Sequence, residues 1–161
     1  MRKLEEGQYD ALVLAYAGVH RMGYDGLIRH VLPTHQFVPP VGQGSIAVES
    51  SRFLDSTLKE RIVHALDHAD THRCLLAERA FLRTMEGGCS IPSFALATLT
   101  ESGDIQLHGG LVSLSGEEYI EFTQTAPVAQ AEGLGMAVAE RVLAHGGTAI
   151  LASIREQRGE L

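Results

Sequence analysis

The sequence predicts an α/β piece joined to an α+β piece: an incomplete α/β unit, then a small domain with a three-stranded antiparallel sheet and flanking helices. Three observations predict it. Residues 9–17 (YDALVLAYA) are a continuous apolar run, the pattern of a strand buried on both faces of a parallel sheet. Residues 93–125 interleave apolar runs with short turn signals, as antiparallel strands do. Helical periodicity flanks those strands over residues 70–85 and 129–145.

After the first run, Gly18 leads into a short helical stretch, and a second helix near residues 25–32 is stopped by Pro33. One strand and two short helices cannot close a doubly wound sheet, whose parallel strands need crossovers, so residues 1–36 read as the C-terminal part of an incomplete α/β domain. Residues 37–50 (FVPPVGQGSIAVES) combine Pro39 and Pro40 with Gly42 and Gly44, a shaped connection that leads into an apolar strand over 45–49. Residues 37–69 are expected to cross between domains. Within them Asp55 or Ser56 caps a helix running to about residue 68. Asp70 or Thr71 opens a longer helix, with Leu75, Leu82, Phe81 and Met85 as its core stripe, ended by Gly87 and Gly88. Strands are expected over 93–100, 105–114 and 118–125, with turns at 101–104 and 115–116. The last helix carries Leu134, Val138 and Val142 and ends at Gly146 and Gly147. Residues 70–161 form the C-terminal α+β domain, and 70–155 contain enough of it to pack alone.

With 45% hydrophobic and 20% charged residues in 161, the chain can bury a core, which excludes global disorder. Its 13 Lys+Arg against 20 Asp+Glu give a net charge of −7, which argues against nonspecific binding to nucleic acid or anionic membrane. No run approaches the ~18 apolar residues of a membrane span, and MRKLEEGQYD lacks the apolar stretch of a secretory leader. A cytoplasmic chain is expected. Cys74 and Cys89 are too few for a disulfide framework and read as thiols.

Three constellations could carry chemistry. His64, His68 and His72 are spaced to share one helix face and could ligate a metal, but Asp67 and Asp70 lie among them and no further ligand pair completes a tetrahedral set. A solvated polar face is the preferred reading, with no metal site. In residues 78–92 (ERAFLRTMEGGCSIP), two glycines deliver Cys89 onto a turn where a ligand can approach, and Arg79 and Arg83 precede it on the helix. A covalent attachment or nucleophile site needs such a presentation, whereas Cys74, between Arg73 and Leu75, suits packing. No companion base accompanies Cys89, so a thiol protease is poorly supported. Lastly, Val41-Gly42-Gln43-Gly44 can cradle an anion or amide, and Arg21 is a fork donor for carboxylate.

Residues 3–23 (KLEEGQYDALVLAYAGVHRMG), 38–49 (VPPVGQGSIAVE) and 78–92 follow the order and spacing of porphobilinogen deaminase, also called hydroxymethylbilane synthase. The chain resembles the C-terminal half of that family. The resemblance implies a periplasmic-binding-protein-like α/β domain left partial, a return through residues 37–69 to another incomplete α/β domain, and a complete third domain. It also implies a dipyrromethane cofactor in thioether linkage to Cys89, with Arg21 binding pyrrole carboxylate and Gln43 and Gly44 contacting the cofactor. Four porphobilinogen molecules would be joined with loss of ammonia and released by hydrolysis as hydroxymethylbilane. The family's catalytic aspartate lies in a domain this sequence lacks, so no catalytic residue is assigned within the chain and the N-terminal half is the expected partner. Two other classes stay open: a noncatalytic pyrrole-binding or interaction module with the same fold, and a metal-binding protein using the histidines.

Overall fold

A computed structural model describes residues 2–86 and 91–159, and the chain divides into two units, Met1–Phe37 and Val38–Leu161. In the first, α1 (Arg2–Glu5) and α2 (Tyr16–Arg21) are followed by a 3₁₀ turn at Asp25–Leu27. The strand expected over 9–17 does not form: residues 11–15 take no regular structure, the helix begins at Tyr16, and Val13 is 82% exposed. A strand is stable only when its amides meet a ladder partner, and the described residues of this unit contain no other strand. The helix expected over 25–32 shrinks to the 3₁₀ turn, because Ile28 is already extended (φ −68°, ψ 119°) and Pro33 holds residue 32 out of the helical region. What results is an apolar concavity of about 490 Å³ lined by residues such as Leu12, Leu14, Val19, Tyr24 and Ile28.

The second unit is built on a sheet in the order β1-β2-β3: β1 (Ser93–Leu99), β2 (Ile105–Val112) and β3 (Tyr119–Ala126), all antiparallel. Ser93 faces Leu111 and Ile105 faces Ala126, so alternate residues share a face. Ala95, Leu107 and Leu111 point to the core, while Phe94, His108, Tyr119 and Glu121 line the opposite face. The expected strands form with ends shifted by no more than two residues. The sheet with its flanking helices is an α+β arrangement.

α4 (Ala69–Thr84) and α5 (Ala131–Val142) cover the inner face. They lie against each other closely enough that a Cβ on Gly135 would come within 2.2 Å of the Ala77 carbonyl oxygen, so only glycine fits that crossing. The buried stripe of α4 is Ala77, Phe81 and Met85, while Leu75 and Leu82 are half-buried. His68, rather than Asp70 or Thr71, caps α4, its ring accepting from the Thr71 amide at 3.3 Å. The chain turns at Gly146 (φ 115°), and then α6 (Thr148–Arg158), which was not expected, packs Ile150, Leu151 and Ile154 into the core.

Upstream, α3 (Ser56–Leu66) is capped by Asp55, whose carboxylate accepts from the Leu58 amide at 3.0 Å. The strand expected over 45–49 does not form, and Ile46 is 92% exposed. α3 itself buries no residue. No helix among the described residues is long and apolar enough to cross a membrane.

Two substitutions test this division. Phe81→Ala, in the core, should cost about 3–5 kcal/mol, whereas Val13→Ala should stay within about 0.5 kcal/mol; urea unfolding of the two variants measures both. Limited proteolysis of the whole chain should cut first before about Asp55 and leave a C-terminal core resting on the α4–α5–sheet packing.

Candidate functional site

The Val41-Gly42-Gln43-Gly44 sequence forms a turn in which Gly42 (φ 70°) and Gly44 (φ 83°) adopt left-handed backbone that side-chain-bearing residues disfavour. One buried carboxylate holds it. Glu78, on the inner side of α4 and only 5% exposed, accepts the Gly42 amide on Oε2 at 2.8 Å and the Ala97 amide of β1 on Oε1 at 2.9 Å. The Ala95 amide donates to the Pro39 carbonyl at 3.3 Å, so the turn is tied to the β1 edge at two points. Burial pushes the Glu78 carboxyl above its ordinary range, and the two amides pull it partly back. Gln43 is exposed and lines a cavity of about 340 Å³ shared with Ser45, His68, Thr71, Cys74 and Glu78.

The thiol of Cys74 is half-buried, and burial, then the charges of Glu78 and Asp70, push its pKa up. Such a thiol is a poor nucleophile. Cys89 lies outside the described residues. Arg21 occupies the last turn of α2 in the first unit, exposed and without an ion pair among the described residues. Arg79 is exposed, and Arg83 pairs with Glu132 on α5 at 3.3 Å, so Arg83 ties two helices together. The three histidines do not share a helix: the chain breaks at Asp67, His68 serves as a cap, and His72 sits 3.5 Å from Asp67. On the outer sheet face, Glu121 accepts from the Tyr119 hydroxyl at 2.8 Å and lies 2.5 Å from His108 Nε2. Burial, with the bond to Glu121 and its charge, pushes the Tyr119 phenol up to about 12.

The family profile described as porphobilinogen deaminase, dipyromethane cofactor binding domain, matches residues 1–60, and the profile of the porphobilinogen deaminase C-terminal domain matches residues 72–144. A porphobilinogen deaminase of Desulfosudis oleivorans is 50% identical over 157 residues, covering 97% of this chain and 50% of that protein. One from Cytophaga hutchinsonii is 47% identical over 156 residues, with 97% and 50% covered, and one from Carboxydothermus hydrogenoformans is 40% identical over 159, with 99% and 50% covered. The chain belongs to the porphobilinogen deaminase family. It spans about half the length of the curated relatives it matches.

Within a porphobilinogen deaminase the positions of Arg21, Gln43 and Gly44 fall inside the span of the cofactor-binding profile and Cys89 inside that of the C-terminal profile. Glu78 is a residue that the sequence analysis did not place at the site. Its signal was positional: it stands four residues after Cys74 and three before Phe81, on the side of α4 that is otherwise apolar.

Glu78→Gln replaces one acceptor by an NH₂ that faces a backbone N–H, and should cost about 1–3 kcal/mol in urea unfolding. The pH dependence carries a definite sign. Because the folded carboxyl is raised above 4.5, its contribution is full below that value and declines as pH rises through the raised value. The Gln variant should lack that decline.

Proposed function

We propose that this chain is the cofactor-carrying half of a hydroxymethylbilane synthase, a transferase that condenses four porphobilinogen molecules in tetrapyrrole and heme biosynthesis. The observation that carries the reading is the sequence Glu86-Gly87-Gly88-Cys89, which follows in the chain the helix whose Glu78 clamps the Gly42–Gly44 turn. Cys89 would hold the dipyrromethane by a thioether, since Cys74, the other thiol, is half-buried with a raised pKa. When bound, that group supplies the primer pyrrole for chain growth.

The chain's own residues bind and orient. Arg21 presents a planar guanidinium that matches the acetate and propionate groups of the pyrroles in bidentate fashion. Gln43 and Gly44 offer an amide side chain and an open backbone to the cofactor, on a turn whose φ values leave little freedom. Every addition forms one carbon–carbon bond as a carbon–nitrogen bond breaks and ammonia leaves, and the attacked pyrrole α-carbon gives up its proton. Positive charge develops on pyrrole nitrogen, and a preorganised carboxylate is needed to stabilise it. None of the family's carboxylates for that task matches a position here, so it would come from the other half of the length. The domain reading follows: residues 1–36 complete a periplasmic-binding-protein-like α/β domain, residues 37–69 cross to another, and residues 70–161 are the attachment domain. The exposed apolar residues of the first unit and of residues 45–66 support that partnership, because they lack a surface to pack on. The cytoplasm, where porphobilinogen and reduced thiols occur together, is the proposed compartment.

The test is the 161-residue chain with porphobilinogen, with and without a polypeptide corresponding to the rest of a full-length relative. Hydroxymethylbilane should form only in the mixture, and intact mass should show an adduct that Cys89→Ser abolishes. Arg21→Lys should reduce product formation at least tenfold while moving the melting temperature by less than about 2 °C, since the substitution keeps charge but loses the fork. Pyrrole binding without product in the mixture would favour the noncatalytic module instead.

A further inference from the structure

The two edges of the sheet are finished differently. At β1 the outward amides of Ala95 and Ala97 are taken by the Pro39 carbonyl and the Glu78 carboxylate. Those two residues turn their backbone away from β2, and the alternation of an antiparallel ladder assigns the rest. Leu107 and Gly109 bond to Gln124 and Phe122 of β3, and the N–H and C=O groups of Tyr119, Glu121, Thr123 and Thr125 point out of the sheet. All four residues are exposed, and among the described residues of the second unit no group accepts from their amides. β3 also lacks the devices that blunt an edge: residues 119–126 contain no proline, glycine or lysine, and the register with β2 runs without a bulge. Its one charge, Glu121, is engaged on the sheet face by the Tyr119 hydroxyl and the His108 ring.

We propose that the β3 edge is an interaction surface for a second copy of this chain, which adds its own β3 antiparallel across a two-fold axis to make one continuous sheet. The argument for a copy is self-complementarity. Centred on Phe122, the pairing sets Tyr119 opposite Thr125 and Glu121 opposite Thr123 of the other copy, uses all four outward residues and forms about eight inter-chain hydrogen bonds. Glu117 and Glu118 then fall opposite Pro127 and Ala126, so no like charges face each other. A centre at Glu121 would oppose the two Glu121 carboxylates, and a centre at Thr123 would set Tyr119 against Pro127, which has no N–H. On the inner face the two Phe122 rings meet at a non-hydrogen-bonded position, where cross-strand side chains approach most closely. Each ring is already fixed, with the Arg141 guanidinium 4.3 Å from its centroid and the His145 ring at 4.9 Å. Because β1 is the opposite edge, pairing at β3 leaves the Gly42–Gly44 turn and the Gln43 cavity uncovered. The inference does not rest on the assignment of the cofactor.

Sedimentation velocity of the full chain at low salt over a concentration series, with amide hydrogen exchange at each concentration, tests this. The ladder buries less than a standard interface, so a dimer should form at micromolar rather than nanomolar concentration. The amides of Glu121, Thr123 and Thr125 should gain protection as it forms, while those of Ala95 and Ala97 stay as they were. Thr123→Glu opposes like charges at both symmetric positions and should raise the Kd about fivefold, whereas Thr123→Lys opposes unlike charges and should leave it equal or lower. Both should keep the melting temperature of the dilute chain within about 3 °C. Thr123→Pro removes an amide that the chain's own ladder does not use and should abolish the dimer. A monomer at every concentration, or edge amides that exchange equally throughout, overturns the proposal. So does an association that Thr123→Pro leaves intact, which would assign it to the exposed apolar residues of 1–66 instead. Equal effects of glutamate and lysine at position 123 would overturn it too, because the pairing centred on Phe122 is the one that sets this position against Glu121.

Discussion

A single carboxylate divided between two backbone amides organises the second unit. β1 is an edge strand, and such strands expose amides that a further strand could pair with. Here the Ala95 amide goes to the Pro39 carbonyl and the Ala97 amide to Glu78. The segment lying along that edge contains Pro39 and Pro40, which have no N–H to give and so cannot extend the ladder. Glu78 takes over where the proline segment stops. Its second oxygen then reaches Gly42, which fixes the turn relative to the helix that leads toward Cys89. The helix, the strand edge and the glycine turn are thus joined by one buried group whose desolvation is offset only while both amides stay in place.

The chain's two kinds of apolar segment behave differently for one physical reason. In residues 69–158 each apolar stripe meets another: the α4 and α5 faces meet each other and the inner face of the sheet, and α6 closes the core. In residues 9–17 and 45–66 the stripes are just as apolar but have nothing opposite them, and Val13, Ile46 and Phe53 are mostly exposed. The chain spans about half the length of the relatives it matches, and these stripes meet no complementary surface among the described residues.

This difference also explains how far the sequence could be read. The strands of the α+β domain were legible because hairpins pair residues close in sequence, and their turns at Thr100–Asp104 and Ser113–Glu118 close with local hydrogen bonds. The helix cores at Phe81 and Val138 were legible from periodicity. Residues 9–17 have the composition of a buried strand, but composition does not report whether a ladder partner is present. α6 was missed because the Gly146-Gly147 pair reads as a stop, although Ile150, Leu151 and Ile154 repeat at helical spacing directly after it. Of the candidate site, the glycines of the turn and the pair before Cys89 could be recognised by residue type. The two amides that Glu78 accepts could not, since both depend on how β1 and the turn pack against α4.

Burial first, and then the same charge that shapes the turn, act on the thiol of Cys74. A thiol reacts as its thiolate, so whatever disfavours negative charge at sulfur protects it. Cys74 is four residues before Glu78 on α4, one turn away, and burial together with the Glu78 and Asp70 carboxylates raises its pKa. Moving Glu78 to the exposed side of the helix would release the Gly42 turn and at the same time remove a negative charge from beside Cys74. A carboxylate at this one position therefore links the shape of the glycine turn to the electrostatics of the neighbouring thiol.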